Sequence, residues 1–227
     1  MSLGAVDPTP IWITLQLATC TTALLFLVGT PIAWWLARTR SRIRPVVEAV
    51  TSLPLVLPPT VLGFYLLILM SPDAPLGRFW LTLTGDTLTF SFSGLVFASM
   101  LYSLPFMVQP LVAAFEGVGR GPIEAAASLG APPFDAFLRV AVPLSKRSFL
   151  TAGVLTFSHT LGEFGVVLMV GGNIPGATRV LSIAIYDHVE TLRYAEAHTL
   201  AAGLLVFSFA VLVLVYAFDR RARVRVG

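Results

Sequence analysis

Apolar residues are arranged along this chain in five long runs separated by shorter polar segments. Each run holds roughly 20 mostly apolar residues, the length that an α-helix needs to cross a lipid bilayer. The runs cover approximately residues 12–36, 46–70, 94–115, 149–170 and 199–218. The pattern predicts an all-α membrane protein in which about five transmembrane helices form a single domain, residues 1–227.

Composition supports this prediction. Of the 227 residues, 56% are hydrophobic and 12% are charged, and the mean hydropathy is +0.83. These values exclude a soluble globular domain. In the first run the basic residues follow the apolar stretch, and Asp7 is the only charge before it, which is the reverse of a secretory signal. We therefore expect this run to stay in the membrane.

Basic residues are concentrated on one side of the predicted membrane. Twelve of the 15 Lys and Arg residues follow the first, third and fifth spans: Arg38, Arg40, Arg42, Arg44, Arg120, Arg139, Lys146, Arg147, Arg220, Arg221, Arg223 and Arg225. Because basic loops stay in the cytoplasm, the N-terminus is predicted outside and the C-terminus inside. The basic tail is interpreted as an anchor on membrane lipid, and nucleic acid is not an expected partner.

The longest polar segment in the middle of the chain, residues 120–147, has the residues of two short helices joined by a bend. Pro122 suits the first turn of a helix, and Gly130 suits the left-handed residue that ends one. Glu124 falls in the first turn, where the helix dipole favours a carboxylate. A second short helix is predicted to open at Pro132 and Pro133.

This second helix is predicted to be stopped by Pro143. Three apolar side chains at the i, i+3, i+4 spacing are predicted to share one face: Phe134, Phe137 and Leu138. Asp135 and Arg139 are four residues apart and can pair on another face. The segment is therefore expected to present aromatic side chains on a small, stiff frame.

The residue order of this loop resembles the EAA loop in the permease subunits of ABC importers. The resemblance rests on Glu124, Ala125 and Ala126, then Gly130, and then Val140, Val142 and Pro143, where the family has Ile-x-Leu-Pro. In that family the loop is cytoplasmic and docks into a cleft on a separate ATPase subunit. The resemblance implies these docking residues: Glu124, Ala125, Ala126, Gly130, Phe134, Phe137 and Arg139. A solvated connector with good helix caps is the alternative.

The second span is interrupted by prolines in the sequence SLPLVLPPTVLGFYLL, which is similar to the second span of molybdate permeases. A half-helix that restarts at Pro59 is predicted to aim its positive N-terminal end toward the middle of the membrane. Such ends face anionic substrates in many transporters. A kink used only for packing is the alternative. The candidate residues of a translocation path or gate here are Pro58, Pro59 and Thr60.

The fourth span contains the most polar cluster within the predicted membrane: Thr156, Ser158, His159, Thr160 and Glu163. His159 and Glu163 are four residues apart and can pair on one face of a helix. A carboxylate within a span is costly unless it is paired, neutralised or wet. A structural pair and a place on the translocation path both stay open, and the path candidates are Ser158, His159 and Glu163.

Two segments lie on the predicted outer side. Residues 71–93 form a predicted loop to which we assign no chemistry. Residues 178–198 carry an amphipathic helix by the spacing of Leu181, Ile185 and His188. This helix either lies at the membrane interface or receives a binding protein. The stretch from LGEFG to AIY, which leads into this segment, resembles the corresponding part of molybdate and sulfate permeases.

The sequence contains no motif for chemistry of its own. Its single lysine, Lys146, does not follow a glycine-rich turn, so a P-loop is missing. The three histidines show no metal-ligand spacing, and no nucleophile comes together with a base. We therefore expect no enzyme activity, no metal and no cofactor in this chain. By the resemblance, ATP and magnesium belong to the partner ATPase.

The resemblance to the molybdate, sulfate and tungstate group of ABC importer permeases implies a type I permease fold in the cell (inner) membrane. It also implies a second copy of the chain, cytoplasmic ATPase subunits and an extracytoplasmic oxyanion-binding protein. Molybdate is the expected substrate, and tungstate, sulfate and thiosulfate are alternatives. A secondary transporter or a membrane scaffold is the alternative class, but five spans cannot form two equal inverted halves.

Overall fold

The computed structural model describes the backbone of residues 7–223 and the side chains of residues 7–213. The basic tail on which part of the predicted topology rests therefore lies outside the described side chains. The described part of the chain is helical, with connecting turns and without any β-strand. The all-α fold class is thus confirmed.

Twelve α-helices follow one another along the described residues. They are α1 (Thr9–Arg38), α2 (Arg44–Ser52), α3 (Pro59–Met70), α4 (Pro75–Thr84), α5 (Phe92–Val118), α6 (Gly121–Ser128), α7 (Pro133–Ala136), α8 (Val142–Leu144), α9 (Lys146–Leu161), α10 (Gly165–Gly171), α11 (Leu181–Glu190) and α12 (Tyr194–Arg223). A 3-10 turn at Leu53–Leu55 extends α2, and a π-helical turn at Phe137–Ala141 joins α7 to α8.

Three of these helices, α1, α5 and α12, are long and apolar enough to cross a membrane without a break. Two further spans are broken helices. The pair Arg44–Leu55 and Pro59–Met70 bends by 112°, and the pair Lys146–Leu161 and Gly165–Gly171 bends by 61°. By length and composition the chain thus has up to five membrane spans.

The first break confirms the predicted restart of a half-helix at Pro59. Pro58 is extended, with φ −54° and ψ 136°, and α3 begins at the next residue. With 12 residues, α3 is about 18 Å long, which is short of the roughly 30 Å apolar core of a bilayer. The predicted span 46–70 is therefore a sharply bent pair of helices instead of one kinked helix.

The second break was not predicted. It spans residues 162–164, where α9 ends at Leu161 and α10 begins at Gly165. No proline marks this position, and the apolar residues resume directly after Glu163 and continue into α10. The expectation of one continuous span over residues 149–170 is wrong for this reason.

The half-helices α3 and α10 pack against each other through glycines. A Cβ atom added at Gly63 would lie 2.8 Å from Cβ of Met169 and 3.3 Å from Cα of Val166. A Cβ atom added at Gly165 would lie 2.8 Å from Cβ of Pro59. Because real Cβ atoms do not approach so closely, only glycine permits this backbone distance. The two breaks are thereby held beside each other.

The core is divided between the two ends of the bundle. The end that carries the connection from α5 to α9 contains the loop-side cluster: Leu25, Ala33, Leu36, Met107, Val108, Leu111, Phe115, Ala141 and Ala152. The opposite end contains the far-side clusters, whose buried members are Ile13, Leu17, Leu95, Val167, Val180 and Ile183, and Leu66, Met70, Leu88, Ala98, Val166 and Val170. The helices α1, α5 and the α9–α10 pair each contribute to both ends.

Two segments predicted on the outer side contain more structure than expected. Residues 71–93 include α4, which Pro75 opens and Gly85 ends with a positive φ of 80°. Residues 178–198 include α11 and the first turn of α12. The amphipathic repeat is thus confirmed only as far as Glu190, where α11 ends.

The α3–α10 contact makes a prediction for stability. Gly63→Ala is expected to lower the melting temperature of the detergent-purified protein by about 5 °C, because overpacking costs about 2 kcal/mol. Gly203→Ala in α12 is the control, since nothing lies within 4 Å of its added Cβ atom. Its melting temperature is expected to stay the same or rise. A Gly63 variant as stable as this control would contradict the packing described.

Candidate functional site

The segment between α5 and α9, here called the central loop, is a compact frame built on α6. Pro122 lies in the first turn of α6 and Glu124 is the acidic residue of that turn. Gly130 has a φ of +86° and donates its N–H to the Ala127 carbonyl at 2.9 Å. Ala131 donates to Ala126 at 3.0 Å, which completes a Schellman motif. The predicted role of Gly130 as a helix terminator is confirmed.

The central loop exposes apolar side chains away from the bundle. Leu129 is 90% exposed and Phe134 is 69% exposed. Of the other predicted docking residues, Glu124 and Ala125 are exposed and Ala126 is half-buried. Arg139 is exposed and lies 3.7 Å from Asp135, which confirms their predicted pairing. Large apolar side chains in water are unfavourable, so this face has the character of a protein-binding surface.

Phe137 does not belong to this exposed face, and the prediction that it projects with Phe134 is wrong. Its ring lies 4.9 Å from the ring of Trp34 on α1 and 6.0 Å from that of Phe115 on α5, centroid to centroid. The π-helical turn that begins at Phe137 widens the helix there, so the i, i+3 spacing from Phe134 no longer sets a common face. Phe137 anchors the central loop to the bundle.

Pro143 lies one residue before the end of the second helical unit of the loop. This unit consists of α7, the π-helical turn and α8, which follow one another without a gap from Pro133 to Leu144. The predicted stop at Pro143 is therefore confirmed to within one residue.

Polar contacts tie α2 to the end of α5, immediately before the central loop. Arg44 lies 2.8 Å from Glu48 and 2.7 Å from Glu116. Gln109 of α5 donates to the Ser52 hydroxyl at 3.1 Å. The first half of the broken second span is thus linked to the helix that leads into the loop.

The paired helix breaks bring together residues that the sequence separates by about a hundred positions. Pro59 contacts Gly165, and Pro58 and Thr60 are exposed beside this contact. Glu163 lies two residues before Gly165 in the second break. The structure therefore places Glu163 near the predicted path residues Pro58, Pro59 and Thr60, while Ser158 and His159 lie on α9 before the second break.

His159 packs against two aromatic rings and accepts or donates a hydrogen bond with one hydroxyl group. Its ring centroid lies 4.0 Å from that of Phe106 and 4.7 Å from that of Tyr102. Its Nδ1 atom lies 2.9 Å from Oγ of Ser103, which is also 3.1 Å from the Thr160 hydroxyl. These contacts fix the ring between α5 and α9. Ser158, its neighbour, has a buried hydroxyl without a hydrogen-bond partner among the described residues.

Glu163 is buried and makes no pair with His159. Its side chain is 4% exposed, and neither carboxylate oxygen has a hydrogen-bond partner in the described part of the chain. The Ser99 hydroxyl faces it without a hydrogen bond of good geometry. Because α9 ends at Leu161, Glu163 has left the helical face that it was predicted to share with His159. The predicted pairing is therefore wrong.

Two α5 residues of this region were missed in the sequence, Ser99 and Ser103. Both are 0% exposed, and they lie one helical turn apart. Their spacing of four residues within an apolar helix was the available signal, since small polar residues there face a neighbouring helix.

Comparisons with known proteins agree with this architecture. Residues 29–224 match the family model described as "Binding-protein-dependent transport system inner membrane component". The chain is 56% identical over 220 residues to the molybdenum transport system permease protein ModB of Azotobacter vinelandii, and the match covers 97% of each chain. It is 34% identical over 215 residues to the sulfate transport system permease protein CysT of a Synechocystis strain, covering 92% of this chain and 75% of that one.

A solved structure shares the fold. The inward-facing MetNI methionine ABC transporter matches with a TM-score of 0.71 and 17% sequence identity, over 93% of this chain and 94% of that chain. At this identity the match supports the fold alone. The helix order, the candidate spans and the family match over residues 29–224 agree with one another. This chain therefore belongs to the inner membrane components of binding-protein-dependent transport systems, the ABC importer permeases.

Proposed function

We propose that this protein is the membrane-spanning subunit of an ATP-driven importer for an oxyanion, with molybdate as its substrate. The observation that carries the proposal is the exposed central loop, a rigid frame with apolar side chains directed away from an apolar bundle. Such a loop has a use only if another protein covers it. The chain contains no P-loop, so the energy for transport comes from that partner.

The partner of the central loop is a cytoplasmic ATPase subunit. Leu129 and Phe134 supply the apolar contacts, and the exposed Glu124 and Arg139 supply polar contacts. Phe137 is removed from the docking set because it packs on Trp34 and Phe115. ATP and magnesium bind on the ATPase. Closure of two ATPase subunits draws two central loops together, and the aromatic anchor at Phe137 transmits this movement to α1 and α5.

The complete importer contains a second copy of this chain and an extracytoplasmic binding protein. One chain forms a narrow bundle, and its exposed apolar residues are available to lipid and to the second copy. The binding protein faces the side of α4 and α11, opposite to the central loop. This orientation agrees with the prediction from the basic residues that the loop is cytoplasmic.

The substrate is proposed from the relatives. The Azotobacter relative is named for molybdenum transport and is far more similar to this chain than the sulfate permease from Synechocystis. Molybdate, tungstate and sulfate are tetrahedral dianions, so a passage that accepts one of them has the charge and shape to accept the others. Tungstate and sulfate are therefore the alternatives.

The translocation path is proposed to run past the paired helix breaks. Thr60 and Pro58 are exposed there, and the N-terminal end of α3 has the positive character of a helix dipole. His159 lies between half-buried rings on the neighbouring face. The buried Glu163 is not in direct contact with the path in this conformation, which removes a negative charge that would repel an oxyanion.

The proposed function is tested by molybdate uptake into proteoliposomes that contain this chain, its ATPase and its binding protein. Uptake is expected to require ATP, and unlabelled molybdate is expected to compete with the radioactive substrate. Competition with tungstate and sulfate identifies the substrate. Uptake without ATP, or ATP hydrolysis without uptake of any of the three oxyanions, would contradict the proposal.

Variants of Phe134 and Phe137 test docking to the ATPase and anchoring to the bundle separately. Phe134→Ala is expected to weaken binding of the ATPase by about tenfold or more, since exposed aromatic anchors dominate interfaces. It leaves the melting temperature of the isolated permease unchanged. Phe137→Ala is expected to lower that temperature by about 5 °C, because it removes a packed ring. Equal effects of both variants on ATPase binding, with neither affecting stability, would refute this division.

The left-handed turn at Gly130 gives a further prediction. Gly130→Pro is expected to reduce the ratio of molybdate transported to ATP hydrolysed by about tenfold, because proline cannot adopt its φ of +86° or donate to Ala127. Gly130→Asn is the matched control, since asparagine tolerates this conformation and keeps the N–H. Both variants are expected to insert normally in the membrane. Normal coupling in the proline variant would show that the frame is not needed.

A further inference from the structure

His159 stands at one end of a chain of hydrogen bonds that runs between α5 and α9. Its Nδ1 atom lies 2.9 Å from Oγ of Ser103, and that oxygen lies 3.1 Å from the Thr160 hydroxyl oxygen. Thr160 in turn donates to the Thr156 carbonyl at 3.0 Å. Three successive contacts therefore link the imidazole ring to a backbone carbonyl group.

The carbonyl group fixes the direction of every hydrogen bond in this chain. A carbonyl oxygen only accepts, so Thr160 uses its one hydroxyl hydrogen there and accepts a hydrogen bond from Ser103. Ser103 has then used its own hydroxyl hydrogen, so it accepts from Nδ1–H of His159. Only this arrangement makes all three contacts hydrogen bonds. The neutral ring therefore carries its hydrogen on Nδ1 and a lone pair on Nε2.

The Nε2 atom of His159 is open to its surroundings. It makes no hydrogen bond to the described residues, and it is not among the buried polar atoms that lack a partner. The Phe106 ring stacks on the imidazole at 4.0 Å with an interplanar angle of 27°, and the Tyr102 ring lies at 4.7 Å. Stacking covers the faces of the imidazole and leaves its edge free. Nε2 is therefore the ring atom that can make a polar contact with a molecule on the path.

No carboxylate balances a positive charge on this ring. None of the ion pairs in the described part of the chain includes His159. On α5 the titratable group beside the ring is Tyr102, and Glu163, which follows α9, does not pair with it. The two other long helices that pack on α9 are α1 and α12. Between Thr9 and Trp35, α1 carries only Cys20, and the titratable groups among the described side chains of α12 are Tyr194, Glu196 and His198.

We propose that His159 is the residue of the translocation path that contacts the oxyanion, and that it does so as an imidazolium. The neutral ring presents the lone pair of Nε2, which repels the oxygens of a dianion. The protonated ring donates Nε2–H to one of these oxygens and keeps Nδ1–H on Ser103. The proton comes from water as the dianion arrives and returns to water when it leaves. This inference rests on the proposed transport function and assigns a contact atom to it.

Ser103 is a positioning residue in this proposal. It holds Nδ1, and it thereby determines that the ring gains its proton at Nε2, the open atom. The face of the Phe106 ring attracts a cation and so favours the protonated form without neutralising its charge. A carboxylate in the same place would compete with the oxyanion for the imidazolium. The absence of such a pair among the described residues leaves the charge available to the substrate.

The inference is tested by solid-state nitrogen NMR of the histidine rings in proteoliposomes. The permease is labelled at its histidines and assembled with unlabelled ATPase and binding protein. The signals of position 159 are identified by their loss in His159→Asn. If this variant does not assemble, His188→Gln and His198→Gln identify them by elimination. Spectra are recorded at neutral pH in sodium molybdate and in sodium chloride of equal ionic strength, each with and without ATP and vanadate.

In chloride the ring of His159 is expected to be neutral with its hydrogen on Nδ1. In molybdate it is expected to become an imidazolium in at least one of the two nucleotide states. A ring that carries its hydrogen on Nε2 in chloride would overturn the inference. A ring that molybdate leaves unchanged in both nucleotide states would overturn it as well.

The pH dependence of molybdate uptake tests the same contact by function. His159→Gln places an uncharged amide donor near the position of Nε2, and His188→Gln on α11 is the matched control. Between about pH 6 and pH 8, uptake by His159→Gln relative to the unsubstituted complex is expected to rise about tenfold, because only the imidazolium loses its proton in this range. The ATPase and the binding protein are the same in all samples, so their own pH dependence cancels. The relative uptake of the control is expected to stay constant.

Ser103→Ala distinguishes a positioning role from simple packing. Without the hydroxyl group, the neutral ring is expected to become a mixture of the Nδ1–H and Nε2–H forms in chloride. A residue that only fills space would leave the Nδ1–H form unchanged, and this result would contradict the role of Ser103. A relative uptake of His159→Gln that is constant with pH would contradict the role of His159. Molybdate uptake by the unsubstituted complex, measured in parallel, shows separately whether the proposed function fails.

Discussion

The whole arrangement depends on the close backbone contact between the half-helices α3 and α10. In lipid, a broken helix is tolerated only where protein or water satisfies the freed backbone groups. Gly63 and Gly165 bring the two breaks side by side, so each shields the other within the bundle. A side chain at either position would separate them. The helix breaks before α3 and before α10 are therefore parts of one structural feature, although they lie far apart in the sequence.

The central loop is coupled to this feature through aromatic and polar contacts. Phe137 packs on Trp34 of α1 and Phe115 of α5, while Arg44 joins α2 to Glu116 at the end of α5. A force applied to the loop thus acts on the loop-side half of three spans.

The sequence predicted the features that strong local signals control. Proline at position 59 restricts the backbone and glycine at position 130 permits a positive φ, and the structure has a helix start and a left-handed residue there. The break at residues 162–164 carries no such signal, because its conformation depends on the contact between Gly165 and Pro59. The inward position of Phe137 likewise depends on rings from α1 and α5. These features depend on packing between residues that are distant in the sequence. Such packing could not be predicted from the sequence of one chain.

Glu163 illustrates the same limit at the candidate site. Four residues of spacing predicted a pair with His159, but the end of α9 at Leu161 placed the carboxylate between other helices. His159 instead contacts Ser103, which sequence reasoning had passed over. The residue types were enough to predict the polar region. The helix break determines which side chains of that region contact each other.

The central claim is that the central loop binds an ATPase with Phe134 while Phe137 holds the loop to the bundle. A cryo-electron microscopy structure of the chain assembled with its ATPase tests this most directly. We expect Phe134 and Leu129 to be buried in a cleft of the ATPase, and Phe137 to remain packed against Trp34 and Phe115. An assembled complex in which the loop faces lipid or solvent, or in which Phe137 leaves the bundle to enter the ATPase, would contradict it.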